Sequence, residues 1–289
     1  MLTVQAPDFS LQHTLECGQA FRWRKHPAAP GPSGEPIPVW YDGVIFGCAV
    51  RMRQEGETLI AQTLDPSLTA AHLRHYFALD LDLTRVLASI DVDAQIRGAI
   101  AQFRGLRVLR QDPWECLASF ICSSYNNIKR IEGMIERVSQ AYGTSVSFNG
   151  FRGCTFPAPE TLAAVPERHL RELGLGFRAP YLRATARLVA AGRLPLEQLK
   201  TTSYDVARAS LMRCDGVGEK VAACVALFGL SHYEAFPVDL WMERAMRYYF
   251  RRRRVTAAKV QEFAREHFGA YAGYAQQYLY HYVRTARPS

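Results

Sequence analysis

Two glycines one residue apart, set inside an otherwise helical stretch, constrain this chain more than any other feature. Between Leu211 and Arg247 (LMRCDGVGEKVAACVALFGLSHYEAFPVDLWMERAMR), Leu211, Val217, Val221, Val225 and Phe228 recur at helical spacing, broken by Asp215-Gly216-Val217-Gly218. The pattern predicts two helices joined by a hairpin within 211–228. A Gly-x-Gly at a helix start lets the backbone come very close to something. It also leaves N–H groups pointing outward at the positive end of the second helix, which is an anion site. Lys220 falls in that helix's first turn, where a cation opposes the helix dipole. Beside Val217, Val221 and Ala222 its amine would be partly desolvated, which favours the neutral, nucleophilic form. Downstream, Pro237-Val238-Asp239 opens another amphipathic stretch with a carboxylate at its head. Each piece alone also has a plain structural reading: a turn, a solvated charge and a helix cap.

The 289 residues suffice for a large core and two or three subdomains. A hydrophobic content of 48% and a mean hydropathy of −0.13 fit a soluble globular chain. No apolar run approaches the length of about 20 residues that a membrane span needs, and Met1 to Gln5 shows no signal-peptide pattern. The expected setting is therefore intracellular. A net charge of +8 and a pI near 9.2 suit a polyanionic partner. The seven cysteines (17, 48, 116, 122, 154, 214 and 224) are scattered among apolar segments, without CxxC or zinc-ligand spacing. They read as reduced, buried thiols, and no metal site through side chains is expected.

The chain divides by texture. Residues 1–105 are expected to form an N-terminal antiparallel β-sheet domain with flanking helices. Cys17 to Arg24 alternates apolar and polar residues as a half-buried strand does. His26 to Pro38 reads as a surface loop, and Val39 to Met52 and Thr58 to Leu64 are β-rich, with turns expected at Asp42-Gly43 and Glu55-Gly56. Helices are expected over Ala70–Phe77, Leu81–Ser89 and Asp93–Phe103. Residues 106–289 form a mainly helical region in two subdomains: 106–235, holding the hairpin, and 236–289, whose closing helices pack back on the N-terminal part. Asp112-Pro113 caps an apolar helix, the polar loop Ser123-Ser124-Tyr125-Asn126-Asn127 interrupts, and Ile128 to Tyr142 resumes the helical period. A polar loop between buried helices is a place for partner contacts. Phe151 to Pro159 reads as irregular; Leu173-Gly174-Leu175-Gly176-Phe177-Arg178 is a second Gly-x-Gly turn before a helix over Pro180–Ala190. Helices over Thr256–Phe268 and Ala270–Arg284 close the chain, and Arg251 to Arg254 is a basic run at a helix end.

Taken together, the Gly-Val-Gly hairpin, Lys220 and Pro237-Val238-Asp239 resemble the signature of the helix–hairpin–helix (HhH-GPD) DNA glycosylases. Within that superfamily the chain is similar to the 8-oxoguanine DNA glycosylase/AP lyase branch from about Cys17 to Arg284. The segments that carry the likeness are Gly18-Gln19-Ala20-Phe21-Arg22-Trp23, Leu109 to Pro113 running into Phe120 to Ser124, Leu173 to Arg178, the hairpin-to-Asp239 stretch and Ala275-Gln276. A β-rich domain ahead of the helices is itself a mark of this branch. Some relatives carry an iron–sulfur cluster on four cysteines after the Asp segment; no cysteine follows Cys224 here, so no such cluster is expected. A monovalent or divalent cation held by the hairpin carbonyls is compatible with the pattern.

The resemblance implies roles by position. Lys220 is the nucleophile and Asp239 its acidic partner. Gly18 offers its carbonyl to the N7–H that distinguishes 8-oxoguanine from guanine. Gln276 bonds the Watson–Crick edge of the flipped base, Cys224 and Tyr280 sandwich it, and Phe228 completes the pocket. Tyr125, Asn126, Arg130, Phe177 and Arg178 wedge the duplex and hold the estranged cytosine. Gly216, Val217 and Gly218 grip phosphate, and Trp241 stands where a phosphate-contacting His is usual. Tyr125 departs from a usual Asn and Tyr280 from a usual Phe. The expected activity is excision of 8-oxoguanine from duplex DNA, cytosine opposite preferred, by base flipping and Schiff-base chemistry, in a DNA-associated monomer. A glycosylase for another damaged base and a non-enzymatic DNA-binding module are the alternatives. Taken without the family, Gly18 reads equally as a strand bulge, Cys224 as a core thiol and Gln276 as a surface amide.

Overall fold

The computed structural model describes residues 1–26, 39–148, 151–250 and 255–285; the basic run 251–254 and all but the first residue of the stretch expected as a surface loop (26–38) lie outside them. Strands β1 (Leu2–Gln5), β2 (Arg24–His26), β3 (Trp40–Ile45), β4 (Cys48–Glu55) and β5 (Thr58–Gln62) form one antiparallel sheet in the order β1-β5-β4-β3-β2. Helix α1 (Leu11–Glu16), capped by Ser10, leads from β1 toward β2. Helix α2 (Ala70–Tyr76) follows the sheet and covers it, with Leu73, Tyr76 and Phe77 packed on Val4, Tyr41, Val50, Met52 and Leu59.

Two sequence expectations fail here for identifiable reasons. Asp42-Gly43 is no turn; it lies within β3, and the chain reverses at Phe46-Gly47, where both residues have positive φ (48° and 80°). Asp42 is 1% exposed. Its carboxylate receives the Arg51 guanidinium from β4 at 2.7 and 2.8 Å, and His26 from β2 at 2.6 Å. Gly43 is there because the Trp23 ring occupies the space a Cβ would need. The turn at Gly56 stands as expected, with φ 55°.

The second failure is Cys17 to Arg24, of which only Arg24 belongs to a strand. Gly18 sits at φ 86°, and Gln19 turns inward, fully buried. The Gln19 amide donates to the carbonyls of Thr14 (2.9 Å) and Arg107 (2.8 Å) and accepts the Leu109 N–H (2.8 Å). The alternation that suggests a strand is produced by this knot.

Helices α3 (Leu83–Ile90) and α4 (Ala94–Gln102) share their core with the helical half rather than with the sheet. The buried helix α5 (Pro113–Ile121) starts at Asp112, whose side chain accepts the Glu115 N–H. Helix α6 (Ile128–Tyr142) then leads to a hairpin of β6 (Ser145–Phe148) and β7 (Phe151–Cys154), in place of the irregular run expected from Phe151. Phe148 and Phe151 on that hairpin pack against Ala49 of the sheet. Helices α7 (Pro159–Ala164), α8 (Glu167–Leu170), α9 (Arg178–Ala190) and α10 (Leu196–Leu199) precede the helix–hairpin–helix pair, α11 (Tyr204–Leu211) and α12 (Glu219–Phe228). Helix α13 (Leu240–Met246), α14 (Ala257–Phe268) and α15 (Ala272–Thr285) close the chain. α15 packs on α3, α4 and α13, donates Tyr278 Oη to the Leu106 carbonyl, and donates Gln277 Nε2 to that of Cys17. Among the described residues no helix is long and apolar enough to cross a membrane.

Replacing Gln19 by Leu keeps the volume but strands the Leu109 N–H and the Arg107 carbonyl, and leaves the Thr14 carbonyl with only the Cys17 thiol at 3.2 Å. Urea unfolding of Gln19→Leu should show a loss of about 3 kcal/mol with an unchanged denaturant slope. A loss within experimental error of zero would refute the knot as a stabilising element.

Candidate active site and DNA interface

The hairpin is built as its glycines require. Gly216 has φ 78° and lies against the ring of Tyr181, only 2.4 Å from where a Cβ would stand. The Val217 N–H closes the turn on the Cys214 carbonyl at 3.1 Å. Gly218 is the N-cap of α12 and offers no side chain to the helix's first N–H groups, so they are left for an external anion. Glu219 in that turn is paired with Arg208 of α11.

Lys220 points away from the hairpin surface into the protein. Its Nζ donates to Ser123 Oγ at 3.0 Å and lies 5.3 Å from the centre of the Phe120 ring. Ser123 in turn donates its hydroxyl proton to the Phe120 carbonyl at 2.6 Å, which leaves its lone pairs for the amine. Among the described residues no carboxylate lies within 4.0 Å of Nζ. Asp239 caps α13: Oδ1 accepts the N–H groups of Trp241 (3.0 Å) and Met242 (2.9 Å), and Oδ2 makes no hydrogen bond within the described residues.

Both side chains open on one cavity of about 930 Å³, within the range of a site that takes a small ligand whole. Gly18, Cys224, Phe228, Gln276, Tyr280, Tyr125, Asn126 and Trp241 line it too. Gln276 is 4% exposed and its Oε1 has no partner; a buried acceptor left open in this way calls for a donor from a bound group. The Gly18 carbonyl likewise accepts no hydrogen bond among the described residues. Burial pushes the Cys224 thiol up to about 11, with Lys220 and Asp239 acting on it in opposite senses. Tyr280 is pushed up to about 12, first by burial and then by Asp239, against the pull of Arg284. Both are neutral near pH 7 and present uncharged faces. Phe120 and Phe228 stack at 5.6 Å on the cavity wall.

At the rim, Tyr125 is 95% exposed and sits at φ 50°. That region suits Asn better than an aromatic residue and disfavours Tyr by about 1 kcal/mol, so the loop is held by something else. Arg178 holds it. The buried guanidinium donates from Nε to the Ser124 carbonyl at 3.0 Å and from Nη2 to the carbonyls of Ser124 and Tyr125. It also lies 4.2 Å from the ring centre of half-exposed Phe177. Expected to face an estranged cytosine, Arg178 is instead committed to the protein here, and Arg130 is the exposed guanidinium of the pair. Asn126 is turned inward, with Nδ2 on the Cys122 carbonyl. Trp241 carries Arg244 over its ring at 4.7 Å. Arg130, Phe177, Arg178, Gly216, Val217 and Gly218 stand outside the cavity lining.

Comparisons with known proteins place the chain in a family. Residues 1–117 match the family described as 8-oxoguanine DNA glycosylase, N-terminal domain, and residues 118–269 match the HhH-GPD superfamily base excision DNA repair protein. The chain belongs to the 8-oxoguanine DNA glycosylase family of the HhH-GPD superfamily. It is 32% identical to a probable N-glycosylase/DNA lyase of Methanothermobacter thermautotrophicus, over 99% of this chain and 96% of that one. It is also 32% identical to the N-glycosylase/DNA lyase OGG1 of Arabidopsis thaliana, over 96% and 78%. The fold superposes on the Clostridium acetobutylicum 8-oxoguanine glycosylase/lyase in complex with double-stranded DNA containing cytosine opposite 8-oxoguanine. That match has TM-score 0.87 and 33% identity, covering 96% of this chain and 92% of the other.

Ser123 lies in the polar loop expected to meet a partner, but its bond to Lys220, the position of Phe120 beside that amine and the place of Arg284 in the cavity were not foreseen from the sequence. For Arg284 a signal existed: Gln276, Tyr280 and Arg284 fall at successive turns of α15. Among the described residues no cluster of three or more His, Cys, Asp or Glu side chains is placed to hold a metal ion.

A thiol pushed up to about 11 leaves a thiolate fraction of about one in a thousand at pH 8. Cys224 should therefore resist iodoacetamide in the native protein at that pH and react fully in denaturant, read by peptide mass spectrometry. Equal rates in the two states would contradict the neutral face assigned to it.

Proposed function

We propose that the protein is a bifunctional DNA glycosylase/AP lyase that removes 8-oxoguanine from duplex DNA. The observation that carries the reading is a single cavity that holds, among the described residues, an amine without a carboxylate partner, a helix-capping carboxylate with one open oxygen, and two unpaired acceptors, Gly18 O and Gln276 Oε1.

A base inside a duplex hides its glycosidic bond, so the nucleotide must be extruded, at a cost of a few kcal/mol. Tyr125 and Phe177, exposed on the Arg178-tied rim, supply rings to fill the gap left in the stack, with Asn126 behind them. The open N–H groups at the start of α12 hold a backbone phosphate, a contact that carries no sequence information; Trp241 and its neighbour Arg244 extend that footing. In the cavity the base lies between Cys224 and Tyr280. The Gly18 carbonyl accepts N7–H, a proton that 8-oxoguanine has and guanine lacks. Gln276 answers the Watson–Crick edge, with Oε1 accepting from the guanine-type N–H donors.

Chemistry follows from charge placement. As the base leaves, C1′ becomes electron-poor, and the free oxygen of Asp239 stabilises it. The Lys220 amine, held by Ser123, attacks C1′ through its lone pair and displaces the base; its proton passes to the departing base, and ring opening gives a Schiff base. The imine acidifies the neighbouring C2′ proton, and its removal expels the 3′ phosphate by β-elimination. The substitution needs no cofactor, and every group in it comes from one chain, as a monomer requires.

Opposite the lesion, cytosine is preferred. Its O2 and N3 are acceptors for a guanidinium, while thymine carries a proton on N3. With Arg178 committed to the rim, Arg130 bears most of that reading, and Tyr125, which stacks on any base, loosens it.

Lys220→Gln should abolish borohydride trapping on a duplex bearing one 8-oxoguanine, and base release with it, while duplex binding persists. A cross-link of native yield in that variant would remove Lys220 from the reaction; release of alkylated bases but not 8-oxoguanine by the native chain would favour a different base specificity.

Single-turnover excision opposite each of the four bases should rank cytosine first, with thymine behind it by about tenfold. Tyr125→Asn should widen that spread. Equal rates opposite all four bases would refute the arginine argument.

A further inference from the structure

Arg284 lines the cavity and has no role in the reaction described above. Its contacts converge on the turn that carries Gly18. Nη2 donates to the Glu16 carbonyl. Nη1 packs so closely on Gly18 that a Cβ there would stand 2.6 Å away. The guanidinium carbon lies 5.4 Å from the centre of the Tyr280 ring. No carboxylate within 4.0 Å competes for it among the described residues.

The next carbonyl in the turn, that of Cys17, accepts Gln277 Nε2 at 3.2 Å. Thus two consecutive carbonyls, of Glu16 and Cys17, are tied to α15, and the third, of Gly18, is left open. Planar peptides leave only φ and ψ free, and the plane that carries the Gly18 carbonyl turns on those two angles of Gly18 (φ 86°). The planes before it are held by α15, and Gln19 after it is anchored through its buried amide and its carbonyl, so the direction of the Gly18 carbonyl is set from both sides. Glycine would otherwise wander, since it populates positive and negative φ alike.

We infer that Arg284 is a positioning residue for substrate specificity. It clamps the Glu16–Gly18 turn and the Tyr280 ring, so that the Gly18 carbonyl stays aimed at the protonated N7 of an oxidised purine. The inference rests on the reading of Gly18 given under the proposed function. A planar guanidinium is suited to the task because it donates and stacks at once, whereas an ammonium is a point charge.

The test compares two reactions on the same preparations: single-turnover release of 8-oxoguanine, and β-elimination at a preformed abasic site. Elimination needs the Lys220 amine but no base in the cavity, so the ratio of the two rates separates base reading from the state of the fold. In Arg284→Met the ratio should fall by about tenfold, the size expected for losing a charge-assisted hydrogen bond. Arg284→Lys should fall less. A fall in Arg284→Met smaller than about fivefold overturns the inference, including the case where both rates drop together. If Arg284→Met does not melt cooperatively, Arg284→Lys decides: a fall of at least about twofold supports the clamp, and a smaller one overturns it. A native chain that releases no 8-oxoguanine removes the functional reading and this inference together, whereas native release with an unchanged ratio in Arg284→Met removes this inference alone.

Discussion

An amine that is to attack carbon must be held in place without being committed to a carboxylate. Lys220 meets that condition through a neutral partner, Ser123, whose own proton is already given to the Phe120 carbonyl. The hydroxyl can therefore only accept, and among the described residues no carboxylate stands within 4.0 Å of the amine. Much of the helical half can be read as support for this one contact. α5 and α12 pack side by side, Phe120 stacks on Phe228, and the glycine hairpin sets where α12 begins.

The cavity wall that the proposed function assigns to substrate reading, by contrast, is assembled from the two ends of the chain. Gly18 comes from the connection between α1 and the sheet, and Gln276, Tyr280 and Arg284 from the last helix. The joint between them is polar and buried: Gln19 reaches Arg107 and Leu109, Gln277 reaches Cys17, and Tyr278 reaches Leu106. Buried amides of this kind are demanding, because a partner lost is a group left unpaired in a low-dielectric interior. They also specify geometry better than apolar packing alone, and a pocket wall needs that.

The parts of this protein that were legible in its sequence are those whose signal is local. Hairpin, lysine and aspartate fall within one stretch, and the helices around them follow their apolar period; an N-terminal antiparallel sheet and a mainly helical region behind it emerged as expected. Asp42-Gly43 misled because a dipeptide that favours a turn was overruled by Arg51 from the next strand and His26 from the other side. Cys17 to Arg24 misled because its alternation reflects one buried amide and one left-handed glycine. The loop holding Ser123 could be picked out, but its pairing with Lys220 could not, nor that of Arg284 with Glu16, because those partners lie 97 and 268 residues away and no window along the chain contains both. The role of Arg178 could not be read either, since a guanidinium turned toward carbonyls and one turned toward solvent leave the same trace in a sequence.

The placement of Arg178 has a consequence for how the protein meets a duplex. One buried side chain fastens the carbonyls of Ser124 and Tyr125 and lies against Phe177, so the two exposed rings belong to a single rigid ridge before any DNA arrives. Ordering a loop during association subtracts from affinity, and a loop already ordered escapes that subtraction. The ridge is thus preorganised: in the wedging role proposed for it, it would probe successive base steps without refolding at each one, the entropy of fixing it being met when the protein folds and not each time it samples a site.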